Sequence, residues 1–193
     1  LKALVCLLIE LSLVTETDIR RELEDAADFL DTQKVAWAPE WQKNNLAQDI
    51  AKELLDKEVV IYTSPLLGSA GYKLKIDINE NAKQLAHMNV FSELNHNEMQ
   101  GWIFPKEKNV ASIVLMSSLD SEDIIKRIHT TQEVLKSHGY APQIITSAGT
   151  NHIQQLLYTI LLGDYISAYL AILNGIDPTP VELVEKFKKL LTD

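Results

Sequence analysis

The segment from Asn79 to Trp102, NENAKQLAHMNVFSELNHNEMQGW, concentrates the proton-transfer chemistry of this chain: Glu80, His87, Glu93, His96 and Glu98 stand among amides and aromatics. General acid/base work asks for groups that gain and lose protons near neutral pH, and a carboxylate with an imidazole is a natural pair. Glu80 is surrounded by Asn79, Asn81 and Lys83, polar neighbours able to hold a partly buried carboxylate by hydrogen bonds. The plainer role for those amides is to terminate a helix. His96 lies between two asparagines, where no apolar spacing asks for a core residue, and such neighbours suit a fixed tautomer. Glu80 and His96 are too far apart for one short helix face, so a turn or strand through Met88 to Asn95 must bend the chain if they meet.

Two other chemistries have weaker support. His87, Glu93, His96 and Glu98 match no helical metal-ligand spacing such as HExxH, and simple exposure explains them as well. Ser117 with Ser118, and Ser147 with Gly149 and Thr150, end strands in loops that could receive a phosphate or serve as plain caps. GxGxxG, GxxxxGKS and GxSxG are all absent, which leaves dinucleotide, P-loop and hydrolase-elbow sites without their sequence signatures. Lys186, Lys188 and Lys189 cluster where a helix C-terminus favours cations, and one of them is free to face a site.

The elements that must position these groups follow from patterning. With 193 residues and 46% hydrophobic content the chain suits one substantial core, and a net charge of −9 with a pI near 5.0 argues against a nucleic-acid partner. The single cysteine, Cys6, fits a reducing cytoplasm. Two packing helices are expected at Leu1 to Leu13 and Thr17 to Leu30; the opening apolar run, broken by Glu10, is too short to span a bilayer. Because the chain starts inside an apolar helix with no Met, it looks like a processed end or a piece of something longer.

A polar linker around Trp37 and Pro39 precedes a helix from Gln42 to Leu55. Strands are expected at Glu58 to Ser64, Ala111 to Ser118 and Gln143 to Ser147, the last two joined by a helix begun at Asp120 or Ser121 and stopped by Gly139. Asn151 to Leu173 is apolar but punctuated by Gln154, Gln155, Asp164 and Ser167, so a core helix is expected rather than a membrane span. A capping box from Thr179 to Glu182, with Pro180 in the first turn, opens the last helix. Strands alternating with helices predict an α/β fold, a three-layer sandwich around a parallel sheet with extra N-terminal helices.

INENAK at Ile78 to Lys83, ELNHNE followed by Gly101 and Trp102, and LLGDYISAYLAILNGIDPTPVELVEKFKKLL near the end together resemble the C-terminal half of the bifunctional phosphoglucose/phosphomannose isomerase family. That family is built from sugar isomerase (SIS) domains. The likeness implies a helical linking segment over 1–40 and a C-terminal SIS domain over 41–193. It implies interconversion of hexose 6-phosphates without metal or redox cofactor, with Glu80 as the base between C1 and C2 and His96 assisting ring opening. It also implies Lys188 as a substrate contact, and a homodimer in which His96 reaches the neighbouring subunit's site. Lys73 and Leu74 stand where the family tends to have an Arg-Trp pair, and the family's N-terminal phosphate-binding subdomain has no counterpart here. A noncatalytic SIS module that binds sugar phosphate or a partner chain is therefore the alternative.

Overall fold

The computed structural model describes residues 2–40, 43–103 and 109–192. Its centre is a four-stranded parallel sheet of β1 (Glu58–Thr63), β2 (Ala86–Val90), β3 (Val110–Met116) and β4 (Gln143–Thr146), in the order β2-β1-β3-β4. Ile61 of β1 stands beside Met88 of β2 and Ile113 of β3, and Leu115 of β3 beside Ile145 of β4. Because side chains alternate along a strand, Val59, Ile61, Ile113 and Leu115 point to one face, and Tyr62, Val114 and Met116 to the other. Each face is covered, which explains why β1 and β3 are continuously apolar rather than alternating.

On the first face lie α3 (Leu46–Leu54), α4 (Gly68–Glu80) and α7 (His152–Leu173), which bury Ile50, Leu54, Leu74, Ile78, Leu162 and Ile166. The second face carries α6 (Glu122–Ser137) and the short α5 (Glu98–Gly101), enclosing Phe91, Leu94, Trp102, Ile128 and Leu135. The Trp102 indole N–H donates to the buried Tyr62 hydroxyl at 2.7 Å. This is the expected three-layer α/β/α sandwich. At the N-terminus α1 (Lys2–Glu10) and α2 (Glu16–Gln33) form the extra helices, α2 contributing Ala26, Phe29 and Leu30.

Local signals place most element ends. Thr15, Asn45, Ser121 and Asn151 accept from the backbone N–H groups of Asp18, Gln48, Ile124 and Gln154, capping α2, α3, α6 and α7. Gly139 and Gly175 follow α6 and α7 with φ of 82° and 68°, the left-handed backbone that glycine adopts without a Cβ clash. Among the described residues α7 is the one helix long and apolar enough to cross a bilayer, yet its buried Tyr158, Leu162, Ile166 and Leu170 belong to the core.

Three expectations need correction. Trp37 is no linker residue: it is 3% exposed and packs edge-on against Tyr158 at a 5.0 Å ring separation, its polar neighbours being the exposed side of a 3₁₀ turn. The helix expected from Gln42 starts at Leu46, because Asn45 caps it; Gln42 itself, like Leu1 and Trp41, lies outside the described residues. The bend expected through Met88 to Asn95, by contrast, is present: the edge strand is Ala86–Val90, and 91–95 turns. The Thr179 capping box does not form. The Thr179 N–H donates instead to Asp177 Oδ1 at 2.8 Å, leaving α8 (Glu182–Leu190) to start after Pro180 with Val181 at its cap.

Candidate active site

Glu80 is the last residue of α4, and the residues around it are fastened on several sides. Asn79 Oδ1 accepts from the Ala86 N–H at 2.9 Å, tying the helix end to the start of β2. Asn81 Nδ2 donates to the buried Ser167 Oγ of α7 at 2.9 Å. Lys83, with a left-handed φ of 53°, donates from Nζ to the Glu80 and Pro178 carbonyls, the latter at 3.0 Å. Gln84 Nε2 donates to the Leu54 and Lys57 carbonyls, both at 2.6 Å. The amides bond to β2 and α7 at the helix end and not to the Glu80 carboxylate, so the role of holding that carboxylate by hydrogen bonds is not the one they take.

Two turns back, Lys73 Nζ reaches both Asp77 oxygens at 2.6 Å and Asp164 Oδ1 at 2.8 Å, clamping α4 to α7. Burial raises the Asp77 carboxyl above its ordinary range, with Lys73 pulling against it and the Asp164 charge adding to the rise.

The Glu80 side chain itself is exposed and has no hydrogen-bond partner among the described residues. It lies on a groove of about 580 Å³ between the end of α4, the α7–α8 connection and the first turn of α8. Lys83, Asp177 and Glu182 share that groove with apolar Ile176 and Leu183. Hydrogen bonds from Thr179, its backbone N–H foremost, hold the Asp177 carboxyl below its usual range.

His96 lies elsewhere. It follows a 3₁₀ turn at Glu93–Asn95, beyond the carboxyl end of β2, whereas Glu80 sits at that strand's amino end. Five residues of strand at about 3.3 Å each put the two ends on the order of 16 Å apart. One chain therefore does not bring Glu80 and His96 together. His96 is exposed, on a turn that Asn95 holds to α6 by donating to Thr131 Oγ1 at 2.7 Å.

The other polar residues of this region are engaged in pairs: His87 Nε2 with Glu58 at 2.9 Å, Asn89 donating to Glu98 at 2.7 Å, and Asn97 donating to Glu93 at 3.0 Å. No group of three or more His, Cys, Asp or Glu among the described residues stands together to hold a metal.

Lys188 lies on α8 beyond the residues that wall the groove, exposed and paired with Glu185 at 2.7 Å. The serine loops are internally satisfied. Ser117 Oγ donates to Gln155 Oε1 at 2.6 Å, the Ser117 N–H donates to Asp120, and Gln155 Nε2 donates to Ser118 Oγ and the Gly149 carbonyl. Their donors hold α7 to the sheet. What the sequence did not reveal is Lys83 as a groove residue. Its left-handed backbone and its reach to Pro178, far along the chain, carry no local signature.

Residues 43–191 match the model for the bacterial phospho-glucose isomerase C-terminal SIS domain. The chain belongs to that family. A bifunctional phosphoglucose/phosphomannose isomerase of Aquifex aeolicus is 31% identical over 177 residues, 88% of this chain and 52% of the relative. One from Caldicellulosiruptor bescii is 33% identical over 98% of this chain and 57% of the relative. The chain thus spans about half the length of the curated relatives it matches. Among solved structures, a glucose-6-phosphate isomerase like protein from Thermus thermophilus shares the fold, with a TM-score of 0.70, 22% identity, and coverage of 92% of this chain and 59% of that one.

Proposed function

We propose that this SIS chain carries the proton-transferring base of an aldose-ketose isomerase acting on hexose 6-phosphates, glucose 6-phosphate with fructose 6-phosphate and, by the same chemistry, mannose 6-phosphate. The observation that carries the reading is Glu80: an exposed carboxylate, without a hydrogen-bond partner among the described residues, at a helix end pinned by Asn79 and Asn81, on the wall of a groove large enough for a sugar. In this reading Glu80 takes the proton from one of C1 and C2 and returns it to the other. His96 of a second copy opens the ring, and Lys188 contacts the substrate. Residues 41–193 form the SIS unit, 1–40 are a helical linking segment, and the protein works in the cytoplasm as a homodimer.

A coupled assay on the protein, expressed with any sequence its gene places before Leu1, tests this. Glu80→Gln should lower turnover by roughly 10³-fold, within the range of general-base catalysis, at unchanged thermal stability. Equal activity in the two proteins would remove Glu80 from the mechanism.

The separation of Glu80 from His96 within one chain favours one second reading, a noncatalytic SIS module that binds sugar phosphate or a partner chain. Fructose 6-phosphate at a hundred times its Kd would then stabilise the fold by about 2.7 kcal/mol without turnover.

A further inference from the structure

Resting on the isomerase reading, we infer that Lys83 supplies the positive charge that stabilises the oxyanion at the C1–C2 end of the substrate. Four observations converge on it. Lys83 is the one cation among the described residues lining the groove that Glu80 shares, where the other charged groups, Asp177 and Glu182, are acidic. Its Nζ donates to the backbone carbonyl of Glu80 itself, so the ammonium is held against the residue that bears the base. An ammonium has three N–H donors, and the carbonyls of Glu80 and Pro178 take two, leaving one for a ligand. The backbone at Lys83 adopts a left-handed φ of 53°, a conformation non-glycine residues hold at a cost and which clusters at functional sites.

The position selects the end of the substrate. A base that moves a proton between C1 and C2 lies against those carbons, while the phosphate is at C6, the far end of the chain. When Glu80 removes the C2 proton, the C–H electron pair becomes the C1–C2 double bond and the C1 carbonyl pair moves onto O1. Lys83 donates a hydrogen bond to that oxyanion. On the return step protonated Glu80 delivers its proton to C1, the C2 carbonyl forms, and the O2 proton passes to O1, so the product differs from the substrate only in where its hydrogens sit. A donor poised where charge develops acts on the transition state more than on the bound sugar.

The experiment compares wild type, Lys83→Met and Lys83→Arg, all with a side chain at the same left-handed position so that backbone strain is common to them. Two ligands are titrated: a five-carbon phosphohydroxamate, anionic where the enediolate is, and sorbitol 6-phosphate, uncharged there. In Lys83→Met we expect kcat to fall ~10²-fold with KM within a few-fold, and hydroxamate affinity to fall at least ~10-fold more than sorbitol 6-phosphate affinity, with partial recovery in Lys83→Arg. An equal loss for both ligands would show that Lys83 only staples the loop to Pro178, and no loss would show that it touches nothing; either result overturns the inference. A wild-type protein that neither turns over substrate nor binds either ligand would overturn the isomerase reading along with it.

Discussion

Glu80 is exposed, yet the residues on either side of it have almost no freedom, and that contrast gives the NEN triplet its physical meaning. Asn79 uses its oxygen on β2 and Asn81 its amide on α7, so the helix end cannot rotate without breaking contacts to two other elements. Asn81→Ala should therefore cost about 1 kcal/mol of stability and, if the carboxylate moves by an ångström, as much as ~10²-fold in kcat. Urea unfolding and steady-state kinetics on the same protein separate the two effects.

Asp77 tests the clamp behind it. Its folded pKa lies above its ordinary value of 3.8, so the stability it contributes is present at the lowest pH and lost as pH rises through the folded value. Asn does not ionise, so Asp77→Asn should gain on wild type as pH rises through that folded value; urea midpoints at a series of pH values would show it. The sequence indicated the neighbours of Glu80 because Asn on both sides of a carboxylate is a local pattern. Which amide met which element was decided by the register of β2 and the packing of α7.

Among the elements, α4 decides where the base sits, since it runs back along the sheet from the carboxyl end of β1 and delivers Glu80 to the amino end of β2. It can lie close because Gly71 faces β1: a Cβ there would stand 3.0 Å from Thr63 Cγ2 and 3.2 Å from Thr63 Cβ. Gly71→Ala should destabilise by about 1–3 kcal/mol through overpacking, and thermal or urea unfolding would measure it. By contrast α8 buries none of its residues; Leu183 and Phe187 are 82% and 60% exposed. Its existence was legible, but its start was not. The Thr179-to-Glu182 spacing satisfies the capping-box pattern, yet Asp177 captures the Thr179 N–H first, and a sequence pattern does not weigh that competition.

At the scale of the whole molecule, a parallel sheet separates what the linear sequence places side by side. Glu80 and His96 flank β2 at opposite ends, so a site that uses both needs two chains. If the protein is the proposed homodimer with His96 acting across the interface, two inactive variants should rescue each other. Mixing and reassembling Glu80→Gln with His96→Ala should restore about one quarter of wild-type activity, because half of the dimers are mixed and one of their two sites is intact. No recovery on mixing would place both residues in the same chain's site or outside catalysis.

The sequence by itself determined the layers, since apolar strands, amphipathic helices and a cap such as Ser121 are encoded within a few residues of where they act. It also determined that a carboxylate and an imidazole were the groups to watch. Only the tertiary structure decided that these two lie apart, that Trp37 is core, and that Lys83 shares the groove with Glu80. Each of those facts depends on segments distant in sequence: β2 between its two ends, Tyr158 against Trp37, and Pro178 against Lys83. No local pattern carries such long-range contacts, which form only when the sheet and its helices close around a common core.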